Sequence, residues 1–348
     1  MIRRNQIILV LITVSCLVVI ILYWVTLPNR NLKNGFTRMI HATVQPAHSI
    51  PLGRGLYDFA GVIGERCYLY QVAKPDRLLE IYDGNLTDTL FIHNPFDQSR
   101  AAEIKIAFPF FYWSDLSRYR VYTGSITHWN LTEEFPHPTF YAEYLPTPSG
   151  VLYRPLNPEK DLYQLAKHTH ADTIEGVGLL EKQLDGLFCT DGMLRFDEET
   201  DQVVYIYFYR NEFICAGTML TLLYRGHTID TTSRARISVG SHGGYHTLSS
   251  PPHLVNRLAT AYQGKLFVNS NLIADNEQPA DFSRADVIDV YNLTSGAYGF
   301  SFYLPRLSDD RITRFTLFED GLYALYPDAL VTYKFDHSIQ SKLNSMRL

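Results

Sequence analysis

The chain has 348 residues, 46% of them hydrophobic and 19% charged, which is enough for a sizeable core but few charges for a protein with many solvated helices. Residues 1–40 carry five basic residues and no acidic one, while the other 308 carry 26 basic and 36 acidic, a formal charge of −10. A domain of that charge repels a phosphate backbone, so no nucleic-acid partner is expected.

Ile7 to Val25 is an uninterrupted run of 19 residues without a charge. As a helix it would span roughly 28 Å, close to the ~30 Å of a bilayer's hydrocarbon core. Arg3 and Arg4 precede it and Tyr23-Trp24 closes it, where an aromatic belt belongs. A cleaved signal peptide would have a shorter apolar stretch and a small-x-small site, neither of which is present. Thr13-Val14-Ser15-Cys16 has the look of a lipoprotein processing site, but nine apolar residues follow Cys16. The reading is an uncleaved anchor over residues 1–27, attached to the membrane through 7–25, with the C-terminal domain extracytoplasmic. Residues 28–52 are polar and lack periodicity, and read as a linker.

From residue 53 strand punctuation begins and recurs. Tyr57–Ile63, Arg66–Val72, Leu78–Tyr82 and Thr89–His93 form one four-strand set, with turn residues at Asp83-Gly84-Asn85. A second set is Ile104–Phe111, Tyr119–Thr123, Ile126–Trp129 and Phe140–Leu145. In the third, Val151–Arg154 reads as a strand, whereas Glu159–His168 has its apolar residues at helical spacing and is left open. The fourth contains Gly186–Arg195 and the strongest strand signal in the chain. In it Val203–Tyr209, Phe213–Ala216 and Leu220–Tyr224 alternate β-branched and aromatic residues between short breaks. The fifth is Leu258–Tyr262, Lys265–Ser270, Val287–Tyr291 and Tyr298–Leu304, and the sixth Ile312–Phe318, Gly321–Tyr326 and Ala329–Phe335.

Sets of four short strands recurring at about fifty residues predict an all-β, six-bladed β-propeller over residues 53–340. A pair of β-sandwiches would lack the longer period. Both faces of Val203–Tyr209 are then expected to be buried between neighbouring blades.

Cys67, Cys189 and Cys215 lie in apolar strand contexts and are expected as buried free thiols. No CxxC or CxxCH is present, which removes the common zinc and c-type haem signatures. The chain also lacks G-x-S-x-G, P-loop, HExxH and EF-hand patterns. Weak metal candidates are His168, His170 and Asp172, which would share one face if on a strand, and His242 and His246 around a double glycine. Against each stands the plainer reading of a solvated loop, and a divalent metal is the one cofactor they would suit. Asp230, Asp289 and Asp336 sit at strand ends, where they would either line a propeller mouth or form turns.

Gly192-Met193 through Phe196-Asp197, the blade Val203–Asp230 with its Thr228-Ile229-Asp230-Thr231 end, and Leu266–Leu304 carry a resemblance. Across roughly residues 53–340 the chain resembles six-bladed propellers of the TolB-like and NHL-like kind, in particular membrane-anchored bacterial envelope members of unknown function. The resemblance transfers a fold and no catalytic motif. What it implies is a binding or scaffolding module for a protein or small-molecule partner. The alternatives are a metal-dependent lyase or lactonase-like hydrolase with its site in the propeller axis, and a carbohydrate-binding propeller.

Overall fold

In the computed structural model, residues 2–26, 33–96, 102–115, 117–135, 141–157, 159–169, 171–242 and 245–346 are described. The strand signal of the fourth set becomes one antiparallel meander: Gly192–Asp197, Gln202–Tyr207, Glu212–Gly217 and Leu222–His227. Val204 and Ile206 pack on one side with Ala259, Leu266 and Val268 of the next meander, while Tyr205 and Tyr207 pack on the other with Leu152 and Leu165 of the preceding one. All four are fully buried; Phe208, just past the strand, is half-buried. A sheet with apolar residues on both faces must be covered on both, and a neighbouring sheet in the ring covers each face.

The same unit recurs, and we number the blades I to VI. Blade I comprises Tyr57–Ile63, Arg66–Gln71, Lys74–Tyr82 and Asn85–Phe91. Blade II comprises Ala102–Ala107, Phe110–Asp115, Arg120–Ser125 and Asn130–Phe135. Blade III has Tyr141–Thr147, Gly150–Asn157, Leu165–His168 and Thr173–Gly176, with Leu162–Tyr163 added beside Gly150–Asn157. Blade IV is the meander above. Blade V has Asn256–Tyr262, Lys265–Ser270, Ala285–Asn292 and Tyr298–Pro305, and blade VI Arg314–Phe318, Gly321–Leu325 and Ala329–Lys334. The first strand of each blade lies against the first strand of the next, and that of blade VI returns to that of blade I. An apolar cluster fills each of the six spaces between neighbouring blades.

Several expectations are corrected here. Ile104–Phe111 is two strands joined by a turn at Phe108-Pro109, because proline cannot donate to a ladder. Ile126–Trp129 is a turn with Trp129 at φ +53°, whose ring nevertheless packs near Tyr68 and Phe111, at 5.4 and 5.2 Å between centroids. The segment from 141 to 145, read as the close of the second set, opens blade III. Glu159–His168, left open by its sequence, is a turn followed by the strands Leu162–Tyr163 and Leu165–His168, since pairing with Gly150–Asn157 overrides the local helical spacing.

The stretch read as a linker holds two strands. Ile40–Thr43 adds in parallel to the outer edge of blade V, and Pro46–Pro51 is the fourth strand of blade VI. The N-terminal part of the chain therefore closes the ring at its C-terminal blade. Arg38 locks the same segment: its side chain is buried, donates to Asp289 at 2.8 Å, and pairs with Glu277. Burial alone would lower its pKa; the two carboxylates outweigh this and hold it above its ordinary value.

Among the described residues three helices flank the strands. α1 (Ile2–Thr26) contains the apolar run, and residues 11–23 are exposed along it. Among the described residues no helix is long and apolar enough to cross a membrane. α2 (Pro279–Arg284) is a single short element before the third strand of blade V. α3 (His337–Ser345) starts at Asp336, whose side chain accepts from Ile339 N at 2.8 Å, and buries Ile339 on the V–VI core. Cys67, Cys189 and Cys215 are buried free thiols, as expected.

Candidate functional site

The first strands of the six blades surround a cavity of about 530 Å3 on the axis, touched by side chains from every blade. These strands interrupt their apolar patterns with charges: Asp58, Glu103, Glu143, Arg257 and Arg314 near their beginnings, and Lys105 and Arg195 one turn of the pleat further in. Arg154, from the second strand of blade III, and Asp191, just before blade IV, complete the charged lining. Phe59, Ile106, Leu145, Met193, Phe208 and Phe315 supply apolar surface between them. Because the beginnings of all six strands meet one cavity, we call this the mouth end.

Each carboxylate on the wall faces a cation. Asp58 of blade I meets Arg314 of blade VI at 3.3 Å, Glu103 meets Lys105 at 2.8 Å, Glu143 meets Arg195 at 3.2 Å, and Asp191 meets Arg154 at 2.7 Å. Glu143 also accepts from Leu194 N at 3.0 Å, and Asp191 from Gly192 N at 3.1 Å. Three of these pairs join neighbouring blades, so the wall is set by the ring rather than by any one strand. Gly192 lets blade IV close beside Asp191: a Cβ there would lie 2.3 Å from the Ile206 carbonyl oxygen.

Behind the wall, Asp286 is fully buried and accepts from Arg257 at 3.2 Å, Arg311 at 2.7 Å and Ile312 N at 3.0 Å. Burial pulls the Arg257 guanidinium down to about 10, against Asp286 and assisted by Arg311, which leaves it charged at neutral pH.

The histidine candidates lie elsewhere. His168 ends the third strand of blade III opposite Val151 and bonds Thr173 Oγ1 through Nδ1 at 2.6 Å. Asp172 is exposed in the following turn, where its N–H donates to Thr169 Oγ1. His170 lies outside the described residues. His242 and His246 belong to the hairpin Val239–His242 and Tyr245–Leu248, and His246 Nε2 is 3.5 Å from Asp161. Val151 and Asn157, next to these two places, are six residue steps apart, about 20 Å along a strand. His168 and His246 thus lie at opposite ends of the propeller. Among the described residues no group of three or more His, Cys, Asp or Glu is arranged to hold a metal ion. Of the strand-end aspartates, Asp230 and Asp289 are buried in hydrogen-bond networks and Asp336 caps α3, so none lines the cavity.

Sequence reasoning missed the charged wall. Its signal is present: a charge inside the opening strand of every repeat, 40 to 62 residues from the last.

Fold and cavity define a six-bladed β-propeller with a polar axial site. No protein-family model matches the chain, and no curated protein matches its sequence. Among solved structures it is similar to a member of the DUF4221 family from Bacteroides vulgatus, with 10% identity, a TM-score of 0.52, and coverage of 87% of this chain and 99% of that one. It is also similar to virginiamycin B lyase from Staphylococcus aureus (10% identity, TM-score 0.48, 83% and 98% covered) and to BamB from Moraxella catarrhalis (10%, 0.41, 84% and 100%). At these identities the likeness is one of fold.

Proposed function

We propose that the protein is an extracytoplasmic binding module of the TolB-like/NHL-like kind, anchored by α1, which takes a small polar ligand in its axial cavity. The observation that carries the reading is the cavity itself. Its size falls within the ~300–1,000 Å3 range of small-molecule sites, and it combines apolar surface with a few fixed polar groups. Among the described residues its lining contains no His, Cys or Ser, and its carboxylates are each opposite a cation, a wall suited to binding rather than to nucleophilic chemistry.

The anchor rests on the amino-acid sequence, the charge-free run Ile7 to Val25 within α1, whose residues 11–23 are exposed. The chain reaches the propeller at the mouth end, where Asn34 N donates to Asp275 at 2.6 Å and Thr231 Oγ1 donates to Asn34 O at 2.7 Å. Seven peptide steps from Thr26 to Lys33 extend at most ~25 Å, so an anchored propeller would present its mouth toward the membrane.

Binding is tested on the full chain in detergent, by thermal shift against a panel of small organic acids, amines and sugars. Ala142 lines the cavity and is exposed, so Ala142→Trp should abolish a ligand's shift without disturbing the core. A panel without a single shift, or shifts that all survive Ala142→Trp, would remove the axial reading. The anchor predicts retention in the membrane fraction through carbonate washing, and a soluble form beginning near residue 27 would overturn it.

A further inference from the structure

From the same cavity we infer that its ligand is an organic oxyanion, a carboxylate or phosphate on a small apolar body, recognised by Arg154. This deepens the axial-cavity reading and rests on it. The carboxylates of the wall are committed to cations, as described above. Arg154 has donors to spare. It is 6% exposed, its Nη2 donates to Asp191 at 2.7 Å, and its guanidinium carbon stands 4.5 Å from the centre of the Tyr163 ring. Its Nε and Nη1 are buried with no hydrogen-bond partner among the described residues.

An unpaired N–H on a buried cation is costly, and native structures satisfy nearly all such groups. Arg257 shows the contrast on the same wall: its Nε donates to Asn269 at 2.8 Å, its Nη1 to the Ile312 carbonyl at 2.7 Å, and its Nη2 faces Asp286. Arg154 is therefore the cation of the wall that is held in place, desolvated and incompletely paired. A guanidinium in that state suits a carboxylate or phosphate oxygen, which would engage it as the group turns off the Tyr163 ring. The lining as a whole sets five cations, Lys105, Arg154, Arg195, Arg257 and Arg314, against four carboxylates, a small excess of positive charge in a domain that is otherwise acidic. Met193, two residues after Asp191, and Phe208, whose N–H donates to the Asp191 carbonyl at 3.0 Å, offer apolar surface to the ligand's body.

The test uses four probes with one aromatic body: phenyl phosphate, benzoate, benzyl alcohol and benzylamine, titrated into the full chain in detergent. At least one anion should bind tenfold or more tightly than the alcohol and the amine, and should weaken as salt is raised. Which anion wins distinguishes phosphate from carboxylate. Arg154→Gln should weaken the anion about tenfold or more and leave the alcohol unchanged. Asp191→Asn, which frees Nη2 and removes the competing carboxylate, should tighten the anion severalfold, so the inference stays testable even where Arg154→Gln fails to fold. Equal binding of alcohol and anion would overturn it, as would anion binding untouched by either variant. Anion binding that Ala142→Trp blocks but Arg154→Gln leaves intact keeps the cavity reading and removes this one.

Discussion

Blade IV and the segment 33–51 are both built into the ring, yet they are held by different forces. Blade IV is a self-pairing meander, with Gly192↔Tyr207 and Ile206↔Phe213 registers inside one continuous stretch. It is apolar on both faces, and its neighbours only cover what its own residues already expose. Segment 33–51 does not pair with itself. Its strands borrow edges from blades V and VI, and its Arg38–Asp289 contact reaches 251 residues along the chain. The side chain that locks it is a buried charge. One region is stabilised mainly by apolar area, the other by borrowed hydrogen bonds and a buried ion cluster, with Phe36 and Val44 as its buried apolar residues.

Breaking the first region should have the largest effect. Ile206→Asp places a charge between blades IV and V and is expected to prevent folding, while Ile206→Ala should cost about 2–5 kcal/mol in urea unfolding. A folded Ile206→Asp protein would mean that this face is not packed against a blade. In the second region, Arg38→Ala leaves Glu277 and Asp289 buried without their cation, and a loss of about 3–5 kcal/mol is expected. If its unfolding midpoint matched the wild type, the N-terminal closure would not depend on this cluster.

A subtler comparison comes from Asp230, at the junction where the outer strand of blade IV leaves for blade V. Burial raises its carboxyl above the ordinary value, against bonds donated by Thr228 Oγ1 at 2.7 Å and Thr232 N at 2.8 Å. The folded chain then holds this proton more tightly than the unfolded one. Its contribution to stability is present below the ordinary aspartate value, about 3.9, and is lost as pH rises through the raised one. Asp230→Asn should flatten that part of the stability–pH curve; an identical slope in both proteins would contradict the shift. The smallest effect is expected at His246, exposed and 3.5 Å from the exposed Asp161. His246→Ala should change stability by no more than about 0.5 kcal/mol, and a larger loss would show that the hairpin is tied down more firmly than this contact suggests.

Repeat number, blade IV and most of blades V and VI were legible in the amino-acid sequence, because a strand buried on both faces must announce itself as an alternating or continuous apolar run with turn residues between. Val203–Tyr209 and Lys265–Ser270 do so without help from the rest of the chain. Ile40–Thr43 and Pro46–Pro51 did not, since an added edge strand takes its register from a distant partner and needs little apolar surface of its own. Trp129 packed its ring from a turn, and Leu162–His168 exchanged a helical pattern for pairing inside blade III; in both, tertiary contacts outweighed local preference.

The candidate site divides in the same way. The charges at Asp58, Glu103, Glu143, Arg195, Arg257 and Arg314 stand in the sequence as interruptions of six opening strands. Their meeting around one axis, and the pairing that leaves Arg154 with unclaimed donors, follow only from closing the ring. The histidines drew the eye because they cluster along the chain, but strand geometry carried His168 and His246 to opposite ends. Neighbours in sequence are fixed by covalent bonds, whereas a site on a propeller axis is assembled from residues about fifty positions apart, and only the packing of blade against blade brings them within reach of one ligand.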